Sequence, residues 1–309
     1  MKVGWRAKAA IQGVLSVVPG GDSLNYVLQS RVTHSLPVGE SVLVENVETA
    51  QSHLRAVSEL LPLAVGEAAF YEFGAGWSLG VPIALAGLGV TNQTLVDIRP
   101  LARTDLVGDI VRRLPPAGER VGTSLSLAPW PAESDLTSAL GAYGIAYMAP
   151  CDARSTGLES ASIDVVTSTS TFEHIPKADI VPILSECRRI LKPSGVMSAW
   201  IDYKDHYASF DDRIGPYNFL TFDQKAWRRY SPSLQYQNRL RHREYVDLFE
   251  EAGFEILQLE VIEADQRDLD ALAGLDIDPS FSGFTPEELG VRDAHFVARP
   301  RATGSGPIR

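Results

Sequence analysis

Residues 70–80 read FYEFGAGWSLG: an apolar run, the acid Glu72, then a turn holding Gly74 and Gly76. A strand that ends in two close glycines lets the backbone approach a ligand, and a helix that follows aims its first N–H groups at a phosphate or a carboxylate. A dinucleotide fingerprint, G-x-G-x-x-G, would put its third glycine at position 79. Here Leu79 stands there and Gly80 comes one residue late. The glycines alone therefore name no ligand, and the residues around them must.

The chain has 309 residues and 45% hydrophobic composition, enough for one large domain or two ordinary ones with a buried core. A formal net charge of -11 argues against a partner held through phosphate contacts, so no nucleic acid is expected. The two cysteines, Cys151 and Cys187, have no metal-ligand spacing and read as thiols of a reduced compartment, which makes the expected location cytoplasmic. The opening MKVGWRAKAAIQGVLSVVPGG is basic and then apolar, but Gln12 and Gly13 interrupt the run and no clear small-residue cleavage site follows. It reads as a surface amphipathic helix. No segment has the roughly 18 to 20 uninterrupted apolar residues of a membrane span.

Residues 1–64 read as a helical N-terminal extension or cap, with Val44, Val47, Leu54, Val57 and Leu61 near helical spacing and Pro62 ending the run. From residue 65 to 300 short β-rich runs alternate with helical stretches, the pattern of a mostly parallel sheet covered on both faces. Between VDIRP and IAYMAP the spacing predicts a helix near LVGDIVRRL, a proline-rich loop, and a helix near ESDLTSALGAYG. An irregular insertion at about 203–238 follows a strand's carboxyl end, where open α/β sheets place their crevices. Residues 301–309 read as a disordered tail.

The E-x-G-x-G pattern of Glu72, Gly74 and Gly76 resembles the first motif of the class I S-adenosylmethionine-dependent methyltransferases. Three further stretches fit that family in order: TLVDIRP with Asp97; MAPCDARSTGLESASIDVVTSTSTFEHIP, which has Asp152, Ala153, Asp164 and Ser168 to Thr171; and SECRRILKPSGVM. DLFEEAGFEI and AHFVARP fit its terminal strands. The resemblance covers about residues 68–201 and in all about two-thirds of the chain; it is closest to the type 11 group, with a looser likeness to bacterial enzymes of glycan and secondary-metabolite building. It implies a Rossmann-like α/β fold with a mostly parallel seven-stranded sheet, and S-adenosyl-L-methionine as cofactor. It also implies a cofactor site of Glu72, Phe73, Gly74, Ala75, Gly76, Asp97, Ile98, Asp152, Ala153 and Ser170. In this reading Glu72 serves the amino-acid end of the cofactor and Asp97 accepts from both ribose hydroxyls. Asp152 and Ala153 read the adenine, with Ile98 and Met148 on its faces. Ser78 in place of a frequent third glycine, and a long segment before Asp152, depart from the family pattern.

Methyl transfer from a sulfonium needs an aligned acceptor and, for a hydroxyl, a way to lose a proton. The expected catalytic residues are His206, with Asp202 and Asp205 close by in IDYKDHY, and His174 of FEHI, where Glu173 and His174 equally suit a structural or cofactor-side part. An oxygen-rich set for Mg²⁺ is lacking, so no metal ligands are expected. The aromatics of the insertion suit either a substrate lid or a core. Together these suggest O-methylation of a small-molecule or saccharide hydroxyl, with a homodimer left open. The rivals are a nicotinamide-dependent oxidoreductase, which the broken fingerprint and Asp152 disfavour, and a methyltransferase-like scaffold protein.

Overall fold

The computed structural model describes residues 4–31, 36–131 and 134–301. The expected tail therefore lies outside the described residues from position 302 onward. Three helices come first, α1 (Trp5–Leu15), α2 (Gly21–Arg31) and α3 (Glu40–Ser58). The alternating part runs β1 (Phe70–Phe73), α4 (Gly80–Gly87), β2 (Gln93–Val96), α5 (Thr104–Arg120), α6 (Leu136–Gly141), β3 (Ile145–Met148), β4 (Ile163–Thr169), α7 (Lys177–Ile190) and β5 (Leu191–Asp202). The short α8 (Gln224–Trp227) lies in the insertion, followed by α9 (His242–Glu251), β6 (Phe254–Ile262), α10 (Gln266–Ala273), α11 (Pro286–Gly290) and β7 (Asp293–Pro300).

The seven strands order as β3-β2-β1-β4-β5-β7-β6. β1 to β5 pair in parallel, and β7 inserts antiparallel to both of its neighbours. The chain builds outward from β1 to β3 and then restarts at β4 on the other side of β1. This makes β1 and β4 the switch point, and the crevice opens beyond their carboxyl ends.

Strand alternation divides the core. Tyr71, Phe73, Val166 and Met197 face α7 and α9, whereas Phe70, Leu95, Val165 and Val196 face α3, α4 and α5. The expected N-terminal helix α3 shares this second core through Leu43, Val47, Ala50 and Val57. A third cluster joins Trp5 and Ala9 of α1 to Tyr207, Tyr217, Phe219 and Trp227 of the insertion.

One expectation fails in the connection after β2. The helix does not stop before the prolines but runs through Pro115 and Pro116 to Arg120. Proline removes a helical N–H and crowds the preceding turn. Here Leu106, Val107, Ile110, Val111, Leu114 and Ala117 form one buried stripe, and its burial outweighs that local penalty.

Candidate functional site

A cavity of about 520 Å³ lies over the switch point. Its floor begins with the turn after β1. Gly74 and Gly76 have φ of +75° and +73°, a conformation open to glycine at little cost. Gly74 also has no room for a side chain, since a Cβ would meet Thr171 Cγ2 at 2.3 Å; at Gly76 nothing lies within 4 Å. Gly80 serves another purpose: a Cβ there would sit 2.1 Å from Asn46 Nδ2, so this glycine admits α3 against the start of α4. Ser170, at φ +45° after β4, lines the same cavity and holds a non-glycine residue in the left-handed region.

Asp97 leaves β2 at the cavity wall and is 6% exposed. Its carboxylate accepts from the backbone N–H of Gly76 at 3.2 Å and of Arg99 at 3.1 Å. Burial pushes its pKa upward against those bonds. Asp152 and Ala153 line the cavity after β3. Arg154 holds Asp152 through Nε and a second guanidinium nitrogen at 2.7 Å, and reaches Asp179 of α7 at 2.7 Å. These bonds hold the Asp152 carboxyl below the usual range.

Phe73, Gly74, Gly76, Asp97, Ile98, Asp152, Ala153, Ser170, His174 and His206 all border this one cavity. Four expected residues do not. Glu72 points to the α3 side of the sheet, because it alternates with Tyr71 and Phe73, and its carboxylate accepts from Thr167 Oγ1 at 2.8 Å. Burial there pushes its pKa up to about 7. Ala75 packs on the α3–α5 core. Asp202 stands behind His206, its Oδ2 3.5 Å from His206 Nε2. Met148, expected beside the adenine, packs on the α7–α9 core and does not line the cavity.

His174, Glu173, His206 and Asp202 meet although α7 and β5 separate the first two from the others in sequence. His174 Nδ1 donates to the carbonyl of Tyr236 at 2.6 Å, and its ring lies 4.8 Å from that of His206. The enclosing wall, and then the neighbouring His206, push the His174 pKa down to about 4. Glu173 is 2% exposed, and among the described residues neither of its oxygens has a hydrogen-bond partner. Burial, and then Asp202, push its pKa well up. Burial would raise Asp202 as well, but His206 and Lys204 hold it below the usual value.

Asp205 does not join this group. It turns into the insertion, where it accepts from the N–H of Tyr207 and the amide of Asn218. The insertion's aromatics follow it: Tyr203 is core, Tyr207, Tyr217, Phe219 and Trp227 fill the third cluster, and Tyr236 alone of those named reaches the cavity. Aromatic rings this large bury more favourably against each other than over an open cleft.

The sequence reading expected a helical cap from residues 1–64 but named none of the residues in it that line the cavity. Asp22, Asn25 and Gln29 of α2 line the cavity. Arg99 clasps Asp22 at 2.8 Å, Tyr26 stacks on Trp77 at 5.9 Å, and Arg103 lies 4.0 Å over Tyr26. α1 ties down the other side, with Gln12 Nε2 donating to Gln235 at 3.0 Å. Helical spacing and an amphipathic N-terminus signal the helices, and neither says which of their residues face the cavity.

Among known families, the one described as "Methyltransferase domain" matches residues 116–199. No curated protein matches the chain. Similar solved structures include geranyl diphosphate C-methyltransferase from Streptomyces coelicolor A3(2), at 11% identity over 82% of this chain and 79% of that one, TM-score 0.46. A S-adenosylmethionine-dependent methyltransferase from Methanosarcina mazei aligns at 15% identity over 76% and 93%, TM-score 0.44. YcgJ of Bacillus subtilis aligns at 14% over 82% and 99%, TM-score 0.42. These values are too low to carry over an acceptor or a partner. No helix among the described residues is long and apolar enough to cross a membrane. The domain match runs from the end of α5 into β5, so this stretch of the seven-stranded sheet, with its antiparallel seventh strand, is similar to a methyltransferase domain.

Proposed function

We propose that the enzyme transfers the methyl group of S-adenosylmethionine to a hydroxyl of a small polar acceptor, such as a saccharide. One observation carries the reading: the glycine turn, Asp97 and Asp152 share a single cavity with His174 and His206. Asp97 takes the ribose, Asp152 and Ala153 the adenine, and the methionine end lies over Gly74 to Trp77. The sulfonium then points toward Ser170 and the two histidines. A carboxylate can accept from two neighbouring hydroxyls at once, which suits Asp97. Glu72 acts from beneath, fixing the turn through β4 rather than touching the cofactor.

The acceptor enters between the histidines and the Ser233–Tyr236 segment. Asn25, Gln29, Ser233 and Gln235 offer hydrogen bonds to a hydroxylated molecule. About 520 Å³ is in the range of small-molecule sites, so cofactor and acceptor must both be small. His206, backed by Asp202, faces the hydroxyl as its proton leaves, and positioning supplies most of the remaining acceleration.

The test is a labelled-methyl screen against hydroxylated metabolites and glycans, read by mass spectrometry. Turnover on a hydroxyl, lost in His206→Ala while S-adenosylhomocysteine affinity stays within about twofold, supports the reading. Methylation only of nitrogen or carbon acceptors would refute it. Unchanged S-adenosylhomocysteine affinity in both Asp97→Ala and Asp152→Ala would refute the cofactor site.

A further inference from the structure

We propose that Glu173, His174 and His206 bind a divalent first-row transition metal ion at the acceptor wall of the cavity, where it would hold the acceptor's hydroxyl. The inference rests on the acceptor reading above. It starts from distance: one donor atom from each of the three side chains lies within 4.8 Å of the others. Ligands about 2.1 Å from a shared ion stand roughly 3 to 3.5 Å apart, so small side-chain rotations close the set.

The second observation is Glu173. A carboxyl 2% exposed, with no hydrogen-bond partner for either oxygen among the described residues, is a buried polar group left unsatisfied. Such groups are retained where they are paired or where they coordinate a metal. Glu173 Oε1 points at His206 Nε2, 3.9 Å away.

The third is the His174 tautomer. A carbonyl can only accept, so the 2.6 Å contact with Tyr236 places the proton on Nδ1 and leaves the Nε2 lone pair free for a ligand. Metal-bound histidines show this same backing, with the far ring nitrogen donating to a backbone carbonyl. Asp202, accepting from the Lys204 N–H at 2.7 Å, lies 3.5 Å from the same His206 Nε2 and adds a second carboxylate beside the set. Two imidazoles and a carboxylate favour Mn²⁺, Fe²⁺, Co²⁺ or Zn²⁺ over Mg²⁺, which prefers oxygen alone and keeps its waters.

With the ion bound, His206 serves as its ligand in place of a base, and the hydroxyl that the ion acidifies loses its proton to solvent. The alkoxide oxygen attacks the methyl carbon as the carbon–sulfur bond breaks. The products are the methyl ether, S-adenosylhomocysteine and one proton, with no oxidant or reductant.

Full-length, metal-stripped protein would be titrated with Mn²⁺ and followed by the loss of the free-ion electron paramagnetic resonance signal. One Mn²⁺ should bind per chain and raise the melting temperature. Glu173→Gln and His206→Ala should each weaken binding more than about 100-fold, since loss of even an outer-shell partner costs about 10- to 100-fold. Glu173→Gln replaces the buried carboxyl with a neutral group of the same shape, so its metal-free melting temperature should stay close to wild type, which separates ligand loss from unfolding. Failure of wild type to take up Mn²⁺, or unchanged binding in Glu173→Gln, overturns the proposal. Full hydroxyl methylation by chelator-treated protein would sink the metal's part and leave the acceptor reading standing; Mn²⁺ binding without transfer to any hydroxyl would do the reverse.

Discussion

The two glycines of the first turn make a paired experiment. Both have positive φ, so alanine at either position meets the left-handed penalty of about 1–2 kcal/mol. Their surroundings differ. At Gly74 the added Cβ would overlap Thr171, with Cγ2 at 2.3 Å, Oγ1 at 2.9 Å and Cβ at 3.2 Å, whereas at Gly76 it would meet open cavity. Overpacking adds about 1–3 kcal/mol, which puts Gly74→Ala at about 2–5 kcal/mol and Gly76→Ala at about 1–2 kcal/mol. Thr171→Ala removes the two closest atoms, so the double variant Gly74→Ala/Thr171→Ala should recover the overlap and fall near Gly76→Ala. Urea unfolding of the ligand-free protein reads these differences from the midpoint at constant slope. Calorimetry should rank the variants differently, with Gly76→Ala losing at least about tenfold in S-adenosylhomocysteine affinity because its methyl enters ligand space. Equal destabilisation at both positions, or no recovery in the double variant, would refute the close approach of the β1 turn to the loop after β4.

Glu72 titrates at about 7 in the fold against an ordinary 4.5, so the folded state binds the proton more tightly. Its contribution is full below about 4.5 and is lost as pH rises through about 7, a difference of about 3 kcal/mol. Glu72→Gln should flatten that stretch of the stability profile and be more stable than wild type at pH 8; a parallel profile would count against it. Asp152→Ala should lower S-adenosylhomocysteine affinity about tenfold with a melting temperature close to wild type, because its ion pair with Arg154 is 40% and 44% exposed and such pairs contribute about 0–1 kcal/mol. Arg241 is wholly buried and donates to the carbonyls of Tyr203, Leu289 and Val291, tying the insertion's end to the approach to β7. Arg241→Ala should destabilise by more than about 3 kcal/mol, with each orphaned carbonyl costing about 1–3 kcal/mol, and Arg241→Lys should not restore it; a near-native unfolding midpoint in either variant would contradict this.

Local pattern accounts for what was legible beforehand. The turn at 74–76, the acid at 97 and the pair at 152–153 recur at spacings set by strand length and crossover length, and those are written in order along the chain. The same alternation that buries Tyr71 and Phe73 also turns Glu72 away from the cleft, a detail the period of two contained but a motif-based reading passed over. The prolines of α5 misled because a propensity acts within one turn, while the buried stripe that overrides it belongs to a surface made by α3 and α4.

The sequence by itself determined the doubly covered sheet and carried the resemblance from which the cofactor is proposed, because periodicity and glycine turns are short-range properties of the backbone. Only the tertiary structure decided what surrounds the cavity. It set α2 over the cavity through Asp22 and Tyr26, sent the insertion's aromatics into a core with Trp5, and carried His206 to Glu173 and His174. Those neighbours are chosen by which apolar faces must be buried against one another, a long-range condition that no window of residues contains.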